Sequence, residues 1–287
     1  METIPIRHIT TALKEQSHIG RFSIRKILDI LNGEDLQHDL HRHNFNFILL
    51  LDKGEGIHEI DFVPHTVTDK CVFLLRPGQV HQLQLKAGTT GYLLEFDTEF
   101  YHPADKFSAQ RLRKASSKNF CQIEADRFDK LNVILSLIYD EYIGKEEGYK
   151  DAIKASLEIF YVELMRQSLN SKNANISVGS YTQERFDVFI SLLETHFAMY
   201  KQVSQYTNLM NLSSYQLNEI TKTTVGKTAS ALIDERILLE AKRHLLATSN
   251  QVKEIADHLG YEDPSYFIRF FKKHTGQSPD SFRKNFK

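Results

Sequence analysis

The chain has 287 residues, 41% apolar and 25% charged, with 13 Gly and 6 Pro, which fits a folded globular protein of about two domains and excludes disordered, collagenous and disulfide-scaffold classes. A formal net charge of −1 gives no global pull toward nucleic acid or membrane, but the charge is graded: residues 182–287 carry 14 Lys/Arg against 12 Asp/Glu, and residues 266–287 carry six against one. Cys71 and Cys121 match no CxxC spacing, METIPIRHIT lacks a signal-peptide layout, and the longest purely aliphatic run, Ile48 to Leu51, is too short for a bilayer, so a cytoplasmic protein without membrane contact is expected.

From about residue 20 to 100, short apolar runs recur every ten to twelve residues: FNFILLL (45–51), IHEIDFV (57–63), CVFLL (71–75), HQLQL (81–85) and GYLLEF (91–96). Turn signals separate them at DKGEG (52–56), VPHTVTDK (63–70), RPGQ (76–79) and KAGTTG (86–91). Evenly spaced short strands with Gly/Pro punctuation predict an antiparallel barrel or double sheet, preceded by an N-terminal arm, over residues 1–120. HQLQL alternates as a strand with one wet face should.

The period then changes. Phe128, Leu131, Leu135, Ile138 and Tyr142 are spaced 3, 4, 3, 4, the seam of a helix that pairs with another helix. After a break at GKEEGYK (144–150), Ile153, Leu157, Phe160 and Leu164 share a second helical face. Residues 121–170 therefore read as a helical hairpin, whose stripe either caps the sheets or makes a homodimer. The polar, aperiodic NSKNANISVGS (170–180) places a linker at 171–181.

Residues 182–287 read as helical and carry an internal repeat. VSQYTNLMNLSSYQLNEITKTTVGKT (203–228) is matched by VKEIADHLGYEDPSYFIRFFKKHTGQS (252–278), with Val203 on Val252, Thr207 on Ala256, Leu217 on Phe267, Lys222 on Lys272 and Gly226 on Gly276. Each copy is a short helix, a tight turn, a second helix and a Gly stop, the layout of a helix-turn-helix. In the second copy Gly260 suits the turn, Asp263 caps and Pro264 takes the first helical position. Phe267, Phe270 and Phe271 are expected inside, with Ser265, Tyr266, Arg269, Lys272 and Lys273 outside. In the first copy Ser213 or Ser214 caps and Leu217 and Ile220 point inward, which leaves Tyr215, Asn218, Glu219 and Lys222 outside. Between the copies, TASALIDERILLEAKRHLLA (228–247) is one helix buried through Leu232, Ile237, Leu238, Ala241 and Leu245. Its length of roughly 30 Å approaches the ~34 Å between successive major-groove faces of B-DNA.

ERILLEAKRHLL (235–246) and VKEIADHLGYEDPSYFIRFFKKHTGQSPDSFR (252–283) closely resemble the C-terminal DNA-binding domain of AraC/XylS-type transcription regulators. That resemblance implies two recognition helices in adjacent major-groove segments of a DNA operator. Tyr215, Asn218, Glu219, Pro264, Ser265, Tyr266 and Arg269 would face bases, and Lys222, Lys272 and Lys273 would lie nearer phosphate. The first copy departs from the family at Thr207, where a small Ala is common, and at Thr221, where an aromatic residue precedes the Lys.

HDLHRHNFNFILLLDKGEGIHEIDF (38–62) and LLRPGQVHQLQL (74–85) are similar to the two conserved portions of the cupin-like barrel that the same family often carries. Cupin enzymes hold a metal through HxH, a nearby Glu and a later His. Here His41, His43 and His81 are present, but Asn44, Phe45, Asn46, Phe47 and Ile48 stand where the Glu is expected. No metal or cofactor is therefore expected, and His41, His43, His81 and Arg25 become the candidate lining of a small-molecule pocket. No GxSxG, Walker A or HExxH motif supports an enzyme. The expected protein is α+β: a cupin-like antiparallel β-barrel with a helical hairpin, then an all-α domain with two helix-turn-helix units. Its expected role is a transcription regulator controlled by a small-molecule effector, a homodimer acting on double-stranded DNA, with RNA polymerase as a further partner. The rival readings are a cupin metalloenzyme fused to a DNA-binding domain and a regulator without a ligand.

Overall fold

The computed structural model describes residues 6–7, 9, 21–103, 105–116, 118–170 and 180–285. Contacts divide the chain into two compact units, with the division between Asn170 and Ser180. Most of the expected N-terminal arm, and residues 171–179 of the expected linker, lie outside the described residues. The linker's last two positions, Ser180 and Tyr181, are already helical.

The first unit is two five-stranded sheets. One has the order β1 (Ile6–Arg7), β3 (Leu36–His43), β8 (Val80–Leu85), β5 (Gly56–Ile60) and β6 (Val63–Val67). The other has the order β10 (Phe120–Gln122), β7 (Cys71–Leu75), β4 (Asn46–Lys53), β9 (Thr90–Phe96) and β2 (Phe22–Lys26). Every pairing among them is antiparallel except β1 with β3. Two expected boundaries move. IHEIDFV is not one strand, because Asp61 and Phe62 both take positive φ and turn the chain from Ile60 to Val63. VPHTVTDK is not all turn, because its first five residues form β6. A two-residue hairpin with both central residues left-handed normally advertises itself with Asn or Gly, and Asp-Phe does not.

The runs FILLL and CVFLL are apolar at every position because the β10–β2 sheet is buried on both faces. Phe47, Leu49 and Leu51 of β4 and Cys71, Phe73 and Leu75 of β7 fill a core shared with Leu83 and Leu85 of β8. Their neighbours Ile48, Leu50, Val72 and Leu74 fill a second core, shared with α3 (Ala125–Gly144) and α4 (Tyr149–Asn170). The expected hairpin stripe is spent there: Phe128, Leu131, Leu135, Ile138, Ile153, Leu157, Phe160 and Leu164 are all buried within this chain. Arg127 of α3 pairs with Glu163 of α4 beside this core. Two shorter helices, α1 (Ile27–Leu31) and α2 (Lys106–Ala115), complete the unit.

The second unit is helical: α5 (Ser180–His196), α6 (Val203–Met210), α7 (Ser214–Val225), α8 (Ala229–Ala247), α9 (Val252–His258), α10 (Pro264–Thr275) and α11 (Pro279–Asn285). It has two cores joined by one helix. Ala229, Ile233, Ile237, Ala241 and Leu245 recur every four residues along α8, and such an i+4 ridge is what packs into a neighbour's groove. Ala229, Ile233 and Ile237 serve the first core, with Phe189, Tyr206 and Leu217; Ala241 and Leu245 serve the second, with Ile255, Ala256 and Phe271. The expected Leu232 and Leu238 flank this ridge half-buried, and Ile233 takes the central place.

Candidate functional site

Each helix-turn-helix is built by local rules that the chain obeys twice. α6 and α9 open alike: the Gln202 N–H donates to Gln205 Oε1 at 2.9 Å, and the Gln251 N–H to Glu254 Oε2 at 2.6 Å. Both turns pass through a left-handed residue, Asn211 (φ 52°) and Gly260 (φ 74°). A Cβ on Gly260 would meet the Ala198 carbonyl oxygen at 1.8 Å, so the second turn also needs Gly for space. Lys201 closes this corner, its Nζ donating to Ala198 O (2.7 Å) and Leu259 O (2.6 Å) and sitting over the Tyr261 ring. The second helices start on Ser213, which accepts from the Gln216 N–H, and on Asp263, which accepts from the Ser265 N–H. Both stop on a left-handed Gly, Gly226 and Gly276.

These rules fix which faces remain outside. On α10, Phe267 and Phe271 are buried, while Ser265, Tyr266, Arg269, Lys272 and Lys273 are exposed and Pro264 is half-buried. Tyr266 is 62% exposed, and the Arg269 guanidinium lies 4.5 Å over its ring. On α7, Leu217, Ile220 and Thr221 are buried, and Tyr215 (75% exposed), Glu219 and Lys222 are outside. Asn218 differs from the rest: its Nδ2 donates to Ser214 O and its Oδ1 accepts from the Ala229 N–H, both at 3.0 Å. It ties α7 to the start of α8. Phe270, expected in the second core, is half-buried and packs instead against the first core, beside Tyr261. The terminal SPDSFR becomes α11, which places Phe282 on Phe271 and lets Arg283 donate to the carbonyls of Leu245 and Asn250.

In the first unit β3 and β8 bring the histidines together. His41 stands directly across from His81 in register, and His43, two residues on, shares their face. Their rings lie 4.3–4.7 Å apart, centre to centre, and all three are at most 4% exposed. His58 of β5 joins from the other side, its Nε2 2.8 Å from His81 Nδ1. Burial, helped by the neighbouring histidines, pushes the His58 imidazole down to about 3 and His81 well below its ordinary value, so both are neutral near pH 7. Phe45 stacks on His43 at 4.3 Å and Phe73 lies 4.7 Å from His58, so the group sits among aromatic rings. Arg25 lies apart from this group, paired with Glu95 of β9 at 3.0 Å. His58 and Glu95 were not singled out from sequence, although IHEI at 57–60 already put His58 on the alternating face of a strand. Gln79 of the RPGQ turn is a buried clamp, donating to Asp61 and Asn119 and accepting from the Arg76 N–H.

Residues 30–111 match the family model described as an AraC-like ligand binding domain, and residues 206–285 match one described as a helix-turn-helix domain. The chain is 26% identical over 254 residues to the HTH-type transcriptional activator RhaS of Escherichia coli O157:H7, covering 85% of this chain and 87% of that protein. It is 31% identical over 111 residues to the raffinose operon transcriptional regulatory protein RafR of Pediococcus pentosaceus, 39% of each chain. Among solved structures, fatty-acid-bound ToxT from Vibrio cholerae aligns with 94% of this chain and 97% of that one, at 14% identity and a TM-score of 0.40. The matched relatives are regulators rather than enzymes, and no described helix is long and apolar enough to cross a membrane. A helix-turn-helix domain following an AraC-like ligand-binding domain places the chain in the AraC/XylS-type family of transcription regulators.

Proposed function

We propose that α7 and α10 read two segments of one double-stranded DNA operator, and that the sheet unit conditions this reading through a bound effector. The observation that carries the proposal is the α8 ridge, which feeds both helix-turn-helix cores from one stiff rod and so holds two polar, solvent-facing helix surfaces on a single frame. On those surfaces Tyr215, Glu219, Ser265, Tyr266 and Arg269 are positioned to meet base edges, and Lys222, Lys272 and Lys273 to meet phosphate. The relative RhaS is named a transcriptional activator, so activation is the proposed output here, with RNA polymerase as the proposed further partner and the cytoplasm as the proposed location. The proposed division is arm and sheets (to Gln122), hairpin (to Asn170), linker (171–179) and DNA reading (from Ser180). Selection of sequences from a random DNA pool by the full chain should yield two conserved blocks about one helical turn apart. A single block, or no preference, would defeat the two-headed reading. Repeating the selection with cell-extract metabolites should shift affinity; no shift with any fraction would leave regulation without an effector.

The dimer is assigned to the outer face of the hairpin, because its inner face is consumed by the sheet. Val133 (68% exposed) and Ile134 of α3 and Ile159 (55% exposed) of α4 line an apolar groove, with exposed Leu137 one turn beyond Val133. A second copy of the chain is the proposed occupant. Ile159→Asp should turn a dimer into a monomer in sedimentation velocity with unchanged far-UV circular dichroism. A dimer that survives both this change and Val133→Asp uses another surface.

A further inference from the structure

We propose that Lys201 is a positioning residue that fixes the spacing and phase at which the two helix-turn-helix heads accept their half-sites. This role rests on the reading of α7 and α10 as two heads on one operator, and adds what makes the spacing of that operator specific.

The heads are joined along α8, whose ridge feeds both cores. A single rod sets how far apart two heads stand, but each can still swing about the rod unless a second contact holds it. Such a contact exists and uses no α8 residue. The segment between α5 and α6, which leads into the first head, lies on the turn between α9 and α10 of the second. The approach is backbone to backbone: a Cβ on Gly260 would fall 1.8 Å from Ala198 O and 3.1 Å from Lys201 Nζ.

Lys201 fastens this contact. Its ammonium donates to a carbonyl on each side, Ala198 O at 2.7 Å and Leu259 O at 2.6 Å, and lies 4.8 Å from the centre of the Tyr261 ring. Burial holds its pKa below the ordinary lysine value. In such partly dried surroundings, bonds from a charged donor and a cation–π contact gain strength. Tyr261 carries the contact inward. It packs against both cores and meets Phe267 of its own head and Phe270, which lies on the first core.

The repeat separates Lys201 from the rules that build each head. In register it matches Asn250 of the second copy, whose carbonyl is held instead by Arg283 of α11. The capping box of α6 is made by Gln202 and Gln205, without the Lys201 ammonium. A side chain outside the shared rules that grips both copies acts on their mutual placement. One inserted base pair moves a half-site by about 3.4 Å and turns it by roughly 35° around the duplex, so heads held against swinging lose contacts at one block.

The test compares the selected two-block operator with versions carrying one base pair more or one fewer between the blocks, each bound by the full chain. Wild type should bind the altered operators about 10–100-fold more weakly. Lys201→Met keeps the apolar stem and loses both carbonyl bonds. It should bind the parent operator nearly as well as wild type, while the spacing penalty shrinks about fivefold or more. Lys201→Arg, which can donate to the same two carbonyls, should keep most of the penalty. If Lys201→Met unfolds at the assay temperature, Lys201→Gln takes its place with the same expectation. An unchanged penalty in the Met variant overturns the role. So does an equal loss on all three operators, which would leave Lys201 a purely stabilising residue. A wild type that selects two blocks but binds all three operators alike also overturns it, with the two-headed reading intact. Selection of a single block defeats that reading, and this role with it.

Discussion

The two helix-turn-helix copies place their large aromatic ring on opposite helices. In register, Tyr206 of the first copy corresponds to Ile255 of the second, and Thr221 to Phe271. All four are essentially buried. The first copy therefore carries its ring on the leading helix, where the Tyr206 hydroxyl donates to Tyr200 O, and a small residue on the second helix. The second copy does the reverse. The two threonines that depart from the family pattern fit this exchange: Thr207 and Thr221 donate to the carbonyls three residues back, so neither buries a bare hydroxyl. What the repeat holds constant is the set of caps, turns and stops. What it varies is the packing and the reading surface, where Glu219 stands in the register of Arg269.

The largest effect should separate the two cores. Phe271→Ala removes a fully buried ring that packs on Phe267 and Phe282, and should cost about 3–5 kcal/mol. Thr221→Ala, at the same register, loses one methyl and a hydroxyl bonded within its own turn, and should cost about 1 kcal/mol. Thermal unfolding of the full-length variants would show the order. Equal shifts would mean that the ring has not been exchanged between helices and that some other group fills the first core.

The next effect concerns the reading surface. Arg269→Ala should weaken binding to the selected operator by about 1–3 kcal/mol and relax preference at one base pair, as expected for a guanine contact. Glu219→Ala should relax preference at a different base pair, a cytosine in the Glu219 reading, with a smaller change in total affinity, because the lost hydrogen bond is offset by removing a negative charge near phosphate. If both changes lower affinity equally on every sequence, neither residue reads bases.

The legibility of these features follows the range of the forces behind them. Asp263, Pro264, Gly226 and Gly276 act on their own turn of helix, so one sequence window reveals them. The strands at 71–75 and 81–85 were readable for the same reason, since burial on two faces or one shows as a continuous or alternating run. The Asp61–Phe62 turn was not, because Phe62, a bulky aromatic at positive φ, is no turn signal and Asp61 alone does not mark a two-residue hairpin. The hairpin stripe was visible but not its partner: a 3, 4, 3, 4 spacing is satisfied equally by a second copy or by a sheet of the same chain. His41 and His43 could be placed on one strand face from HxH alone. Their meeting with His81 and His58 depends on the β3–β8 and β5–β8 registers, which only the pairing of distant strands defines.

Asn218 offers the smallest and most discriminating change. Its register partner in the second copy is Ile268, which is partly exposed and carries no polar group, so the reading surface there does without an amide. In the first copy the amide bridges Ser214 O and the Ala229 N–H, the latter an otherwise unpaired donor in the first turn of α8. Asn218→Ala should cost about 1 kcal/mol of stability by leaving that N–H without its acceptor. Base preferences in a repeated selection should stay as they are, with at most a uniform loss of affinity as α7 loosens against α8. If preference instead relaxes at a single base pair while the unfolding temperature is unchanged, the amide must leave both partners to meet DNA. The first recognition helix would then be a surface that forms on binding, in contrast to the second, whose Tyr266 and Arg269 are already stacked and exposed.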